Sequence, residues 1–288
     1  MIQPLVSLGV PVRNGGEMLR AALAAIEAQD YPNIEVIISD NCSSDETFVI
    51  AAEFGRRHPN ARIIRQEEPL TAFENFMWLI DQAKGDFFCW CAHDDLRSPD
   101  FVSGLLHGFD GNDNAHLCFG DLEIMDSHGV DGSACAYDFA NQGLSSVSRL
   151  RKQALMQCFH IYGLWRMESL RQLPKIYCSW WPDLPFMMAA AYSGIFIHVP
   201  GPRFIYLEAP KSDAERAAYQ DYVLQARSRL RNVFDLIVAC FRAVRDVAGV
   251  PLALAAGVLV VEKQIRGLGV WVSRKMSKGM RDREGMAR

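Results

Sequence analysis

The chain has 288 residues, half of them apolar and 22% charged, which excludes a disordered polypeptide and gives enough length for one large domain or two small ones. Its 30 Lys and Arg against 34 Asp and Glu leave a net charge of −4, which argues against a general polyanion binder, so no nucleic-acid partner is expected. Met1–Pro4 lacks the basic and apolar stretch of a secretory leader, and eight cysteines without a C-x-x-C pair sit mostly in apolar runs. Both features fit reduced, buried thiols and a cytoplasmic protein.

In chain order, short β-rich runs alternate with segments of helical period over the first 125 residues, the pattern of βαβ units and a mostly parallel sheet. Leu5 to Val10 reads as the first strand. It is followed by a turn at Asn14-Gly15-Gly16 and a helix whose apolar positions are Leu19, Ala22, Leu23 and Ile26. Ile34 to Ser39 reads as strand two, with turn and capping chemistry at Asp40 to Asp45 before a helix from about Glu46 to Arg57. Ala61 to Arg65, a helix over Phe73 to Ala83, and a strand over Phe87 to Ala92 complete this half. Cys89 and Cys91 alternate within that last strand and read as packed thiols. Ser98-Pro99-Asp100 opens a further helix.

From residue 126 the pattern changes. Ser127 to Ser146 reads as a long loop, 147–173 as helix interrupted at Tyr162-Gly163, Asp183 to Tyr192 as helix, and Ile195 to Val199 and Phe204 to Leu207 as two short strands. From Asp213 onward the chain reads as mostly helical. In an open α/β sheet, ligands bind outside the carboxyl ends of the strands. Asp40 after strand two and Asp94-Asp95 after strand four are therefore expected on one rim. Adjacent carboxylates there suit Mg²⁺ or Mn²⁺, hard cations that take one or two protein carboxylates together with substrate phosphates; solvated turn carboxylates are the plain alternative.

The stretch from Val6 to Phe101 resembles the inverting glycosyltransferases of family 2, which have the GT-A fold. The resemblance rests on Val6 to Asn14 with its P-x-x-N turn, on Gln29 to Val36, and on Asp40-Asn41-Cys42-Ser43-Ser44-Asp45-Glu46-Thr47. It continues through Ala83 to Asp86, Asp94-Asp95 and Pro99-Asp100-Phe101. Ala92 stands where many members carry a first carboxylate. Asn75 matches a family asparagine, and Glu74 stands where arginine is common. The resemblance implies a GT-A domain over residues 1–210, with 1–125 as nucleotide-binding half and 126–210 as acceptor half, followed by a helical region over 211–288.

It further implies a nucleotide-sugar donor, most simply a UDP-sugar, and a divalent cation, Mn²⁺ or Mg²⁺. Asp95 and Asp94 are the expected metal ligands, with Asp94 also a ribose contact. Asp40 is expected to accept the imide N–H of uracil or thymine, and Pro11 and Asn14 to border the base. With no glycine-rich phosphate loop in the sequence, a cation is needed to neutralise the diphosphate. Asp183 resembles the acidic residue that opens an acceptor-side helix and is the expected catalytic base, although Pro182 replaces the usual glutamate before it. Gly163, Arg166, Trp180 and Trp181 are the expected acceptor contacts, the acceptor being a glycan or lipid-linked saccharide of bacterial surface-polysaccharide synthesis. A nucleotidyltransferase of similar architecture and a non-catalytic relative are the alternatives.

Towards the end, 247–261 is uncharged yet shorter than a membrane span. A stripe of Val258, Val261, Ile265, Leu268, Val272 and Met276 then recurs at helical spacing. Residues 262–288 carry eight basic and three acidic side chains, net +5, while the remainder carries −9. Two readings of this end stand side by side: contact with an anionic membrane surface, and an amphipathic helix packed on the chain's own domain.

Overall fold

Four strands and the helices between them form the first third of the fold: β1 (Val6–Val12), α1 (Gly16–Glu27), β2 (Ile34–Asp40), α2 (Thr47–Arg57), β3 (Ala61–Arg65), α3 (Ala72–Gln82) and β4 (Phe87–Trp90). The computed structural model describes residues 3–126, 129–131, 138–178, 181–207 and 229–261. β1 lies between β2 and β4, parallel to both, and every residue of it is buried. A strand covered on both faces needs a near-continuous apolar run, which Val6 to Val12 supplies. Leu19, Ala22, Leu23 and Ile26 are the buried residues of α1, as their spacing predicts.

The sheet continues through β5 (Asp95–Arg97), β6 (Ala115–Asp126), β7 (Gly129–Asp131), β8 (Leu164–Arg166) and β9 (Ile195–Leu207), in the order β3-β2-β1-β4-β8-β6-β9-β5, with β7 on the edge of β6. β8 is antiparallel to both β4 and β6, so β6 and β9 run in the same direction as β1 and β4. Their carboxyl ends therefore reach the same rim. The remaining helices are α4 (Phe101–His107), α5 (Ser146–Leu155), a 3₁₀ turn over Phe159–Tyr162, α6 (Met167–Arg171), α7 (Asp183–Ser193), α8 (Arg229–Ala248) and α9 (250–261). All of Leu184 to Ala191 is buried because α7 packs against α5 on one side and α8 on the other.

Several expectations need correction. The segment 147–173 is not one interrupted helix: it holds α5, the 3₁₀ turn, β8 and α6. β6 is a long strand where none is expected. Residues 117 to 120 are all buried, so no alternation marks the strand there, and its register with β9 shifts between Phe119 and Asp121. The two short strands after α7 are one strand, β9, which passes through Pro200-Gly201-Pro202 with Gly201 at φ 110°. Gly120 lies so close to this bend that a Cβ on it would meet the Pro202 carbonyl oxygen at 2.0 Å. Within the expected loop, Gly129–Asp131 is a strand; 127–128 and 132–137 lie outside the described residues, as do 208–228 and 262–288. The stripe positions Ile265, Leu268, Val272 and Met276 fall in that last segment.

Candidate active site

The turns after β1 and β2 are bolted together. Asn14 donates its backbone N–H to Ser43 Oγ at 2.9 Å, and its Oδ1 accepts from the Ser44 N–H at 2.9 Å. Gly15 and Gly16 both donate their N–H to Thr47 Oγ1, at 2.8 and 3.1 Å. Asn14 takes a left-handed φ of 53°, which asparagine tolerates better than most residues. Pro11 is buried within β1 opposite Ser39, so it frames the turn from below.

Asp40 is the last residue of β2 and is fully buried. Its Oδ1 accepts from the Ser43 N–H at 3.2 Å; its Oδ2 makes no hydrogen bond and lies 3.4 Å from Arg65 Nε. Arg65, directly opposite Asp40 in the register, also donates to the Ser43 carbonyl at 2.7 Å and lies over the Phe48 ring at 5.1 Å. The sequence reading missed Arg65. Its signal was positional: the last residues of two neighbouring strands are an acid and a base.

Beyond β4, His93 packs against the other face of the Asn14-Gly15 turn, where a Cβ on Gly15 would meet its imidazole at 2.9 Å. Asp94 is half-exposed, its Oδ1 4.0 Å from His93 Nδ1. Asp95 opens β5 opposite Tyr206, is 1% exposed, and accepts a hydrogen bond from the Leu207 backbone. Burial and the neighbouring Asp94 push its carboxyl up to about 7, with Arg97 opposing the shift. The buried Arg97 donates to the Trp90 carbonyl at 2.7 Å and sits between the rings of Phe101 and Phe204. Asp40 and Asp94 thus stand at the carboxyl ends of parallel strands with one turn touching the neighbourhood of each. Two strand spacings, about 10 Å, separate β2 from β4, a span suited to one nucleotide.

Asp183 is the first residue of α7. Three residues on, Phe186 makes edge contacts with Trp90 at 5.9 Å and Trp165 at 5.7 Å, which sets the first turn of α7 over the end of β4. Asp183 is half-exposed yet hemmed in by protein, and that desolvation alone pushes its carboxyl up to about 6. Trp181 takes a left-handed φ of 58°, its carbonyl accepts from the Leu184 N–H at 3.2 Å, and its ring packs partly buried against the core. Trp180 lies outside the described residues.

The structure does not bring Arg166 to this rim. It pairs with Phe87, the first residue of β4, donates to the Ala115 carbonyl at 3.2 Å and lies over the rings of Phe87 and Phe109, at the amino end of the strand. Gly163 is a close-packing position: a Cβ there would meet the Cys118 carbonyl oxygen at 2.4 Å. Asn75 is buried and accepts from Ser39 Oγ at 2.5 Å. Glu74 completes a capping box with Thr71 at the start of α3, a role the T-x-x-E spacing signals. Cys89 and Cys91 are fully buried free thiols.

A divalent cation fits the acidic pair. Asp95 Oδ1 is buried without a hydrogen-bond partner and Asp94 supplies a second, more exposed carboxylate. Among the described residues no cluster of three or more His, Cys, Asp or Glu forms a complete protein cage. A site of one or two carboxylates completed by substrate oxygens is how Mg²⁺ and its relatives are commonly held.

The sequence profile of glycosyl transferase family 2 matches residues 7–161, more than half of the chain. The chain belongs to this family. It is 32% identical over 130 residues to an uncharacterised glycosyltransferase of Rickettsia typhi, covering 44% of this chain and 40% of that protein. It is 27% identical over 169 residues to glycosyltransferase GlyG of Streptococcus pneumoniae, covering 57% and 52%. The matched regions thus span about half the length of these relatives or less. In fold it is similar to Staphylococcus aureus TarS 1–349 in complex with UDP, with a TM-score of 0.60 at 15% identity over 90% of this chain and 88% of that one. It is also similar to the mannosyltransferase PcManGT from Pyrobaculum calidifontis in complex with GDP-Man and Mn²⁺, with a TM-score of 0.53 at 15% identity over 89% and 74%. The expected GT-A fold is the observed one.

Proposed function

We propose that this protein is an inverting glycosyltransferase that moves a sugar from a UDP-sugar to a hydroxyl of a glycan or lipid-linked saccharide, on the cytoplasmic side of surface-polysaccharide assembly. The observation that carries this reading is the rim itself: a buried aspartate with an unbonded oxygen at the end of β2, and an acidic pair with another at the end of β4. TarS structures bound to UDP and to UDP-GlcNAc support the choice of nucleotide.

Asp40 accepts the imide N–H of uracil, a charge-assisted bond that cytosine, with no hydrogen at N3, does not offer. The Asn14 turn and Pro11 hold the base edge in place by fixing the loops around it. Asp94, the more exposed of the pair, reaches a ribose hydroxyl or the cation, and Asp95 the cation; the bound ion supplies Lewis-acid neutralisation of the diphosphate. Trp181 borders the acceptor side. Asp183 takes the acceptor proton as the new C1–O bond forms opposite the departing diphosphate, which inverts the configuration at C1. Its carboxyl, raised to about 6, is ionised at neutral pH yet basic enough to accept a proton.

The direct test is a panel of nucleotide sugars with Mn²⁺, scored for the nucleotide released. Release of UDP supports the proposal; no release from any nucleotide sugar, with pyrophosphate released instead from a nucleoside triphosphate supplied with a sugar 1-phosphate, would assign the protein to nucleotidyl transfer.

A further inference from the structure

The C-terminal helical pair has two apolar faces, and the domain covers one of them. Leu236, Cys240 and Val244 of α8 and Ala253, Ala256 and Val260 of α9 point inward and are buried. On the opposite face, Phe234 is 64% exposed, Leu254 60% and Val258 68%. Between the two helices this outer face holds a groove of about 420 Å³, lined by apolar residues including Ile237, Phe241 and Val261. Exposed apolar side chains that are contiguous, and not scattered singly, mark an interaction surface.

We propose that this face docks on an anionic lipid bilayer, lying in the interfacial plane. Three observations select that occupant. First, the uncharged run 247–261 is shorter than the roughly 20 residues of a membrane span and is followed at once by Glu262 and Lys263, and among the described residues no helix is long and apolar enough to cross a membrane. Second, a 27-residue segment of net +5 follows directly on Val261, while the remainder of the chain carries −9. Third, that asymmetry opposes the obvious rival, a second copy seated on the same face, because pairing would bring two like-charged segments together. An anionic leaflet attracts this end and repels the rest, so the molecule is oriented with its acidic body towards solvent. Arg242 and Arg245 against Asp246 leave the last turns of α8 net basic as well. The inference deepens the reading of a lipid-linked acceptor, and its test needs no sugar donor, so the two fail separately.

The test is co-sedimentation of the full chain with vesicles of phosphatidylcholine alone and of phosphatidylcholine with phosphatidylglycerol at about 3:1, with Leu254→Asp/Val258→Asp as the variant. Both positions are exposed, and equal thermal midpoints confirm an intact fold. Binding to the anionic vesicles that weakens with salt, and falls at least about tenfold in the variant, is the expected result. No binding to either vesicle, or equal binding by the variant, overturns the proposal. So does a lipid-free dimer in sedimentation that the variant dissociates, which would make the face a contact between copies.

Discussion

Asp40 Oδ2 lies 3.4 Å from Arg65 Nε at the paired ends of β2 and β3, and among the described residues nothing donates a hydrogen bond to that buried oxygen. The arginine is half-exposed and anchored by the Ser43 carbonyl and the Phe48 ring. Asp40 therefore stays fixed in place with acceptor capacity to spare. Asp40→Ala is expected to weaken UDP binding about 10- to 100-fold, the worth of one hydrogen bond to a charged group, and to leave CDP binding unchanged. Calorimetry with both nucleotides reads this, and an equal loss for both would remove the base-reading role.

Asp183 sets the pH dependence. Its carboxyl is raised to about 6 and must be ionised to act as a base, so turnover should rise with pH through about 6 and then level. Asp183→Asn is expected to lower turnover by about 10²- to 10⁴-fold with the protein still folded. Stability runs the other way. The folded state holds the proton more tightly than the unfolded one, so stability falls as pH rises from the ordinary carboxyl range through about 6. Asp183→Asn should thus raise the thermal midpoint at pH 8 and leave it nearly unchanged at pH 3.

Gly163 separates packing from substrate contact. With the Cys118 carbonyl 2.4 Å from where a Cβ would sit, Gly163→Ala should destabilise by about 1–3 kcal/mol. A thermal melt reads that cost. Acceptor KM is expected to stay within about twofold on the surviving folded protein; a raised KM at unchanged stability would return Gly163 to the acceptor site. Arg166→Met should likewise act through packing, since its guanidinium lies over Phe87 and Phe109.

The capping box of α3 gives a smaller effect. Thr71→Ala removes the acceptor for the Glu74 N–H and should cost about 1 kcal/mol in urea unfolding, with donor affinity untouched.

The first half of the fold was legible because its signals are local. β1 is an apolar run broken only by Ser7, and α1, α2 and α3 bury residues at helical spacing. The second half is held by long-range pairing that leaves little local trace. β8 is three residues long and exists because β4 and β6 flank it; β6 buries consecutive residues from Leu117 to Gly120 and so shows no alternation; β9 carries two prolines. The same division applies to the site. Asp40, Asp94 and Asp95 follow strands that the sequence announces, whereas Arg65 gains its meaning only from the register with Asp40. Arg166 shows the converse: its motif spacing fits an acceptor contact, but the antiparallel β8 turns it to the far end of β4.

The central claim is that one nucleotide and one cation bridge the ends of β2 and β4. Anomalous diffraction at the manganese edge, from crystals grown with UDP and Mn²⁺, tests it most directly. A single peak at about 2.2 Å from an Asp95 oxygen, with the uracil N3 within about 3 Å of Asp40, is the expected result. A nucleotide bound away from Asp40, or manganese bound away from Asp94 and Asp95, would contradict it.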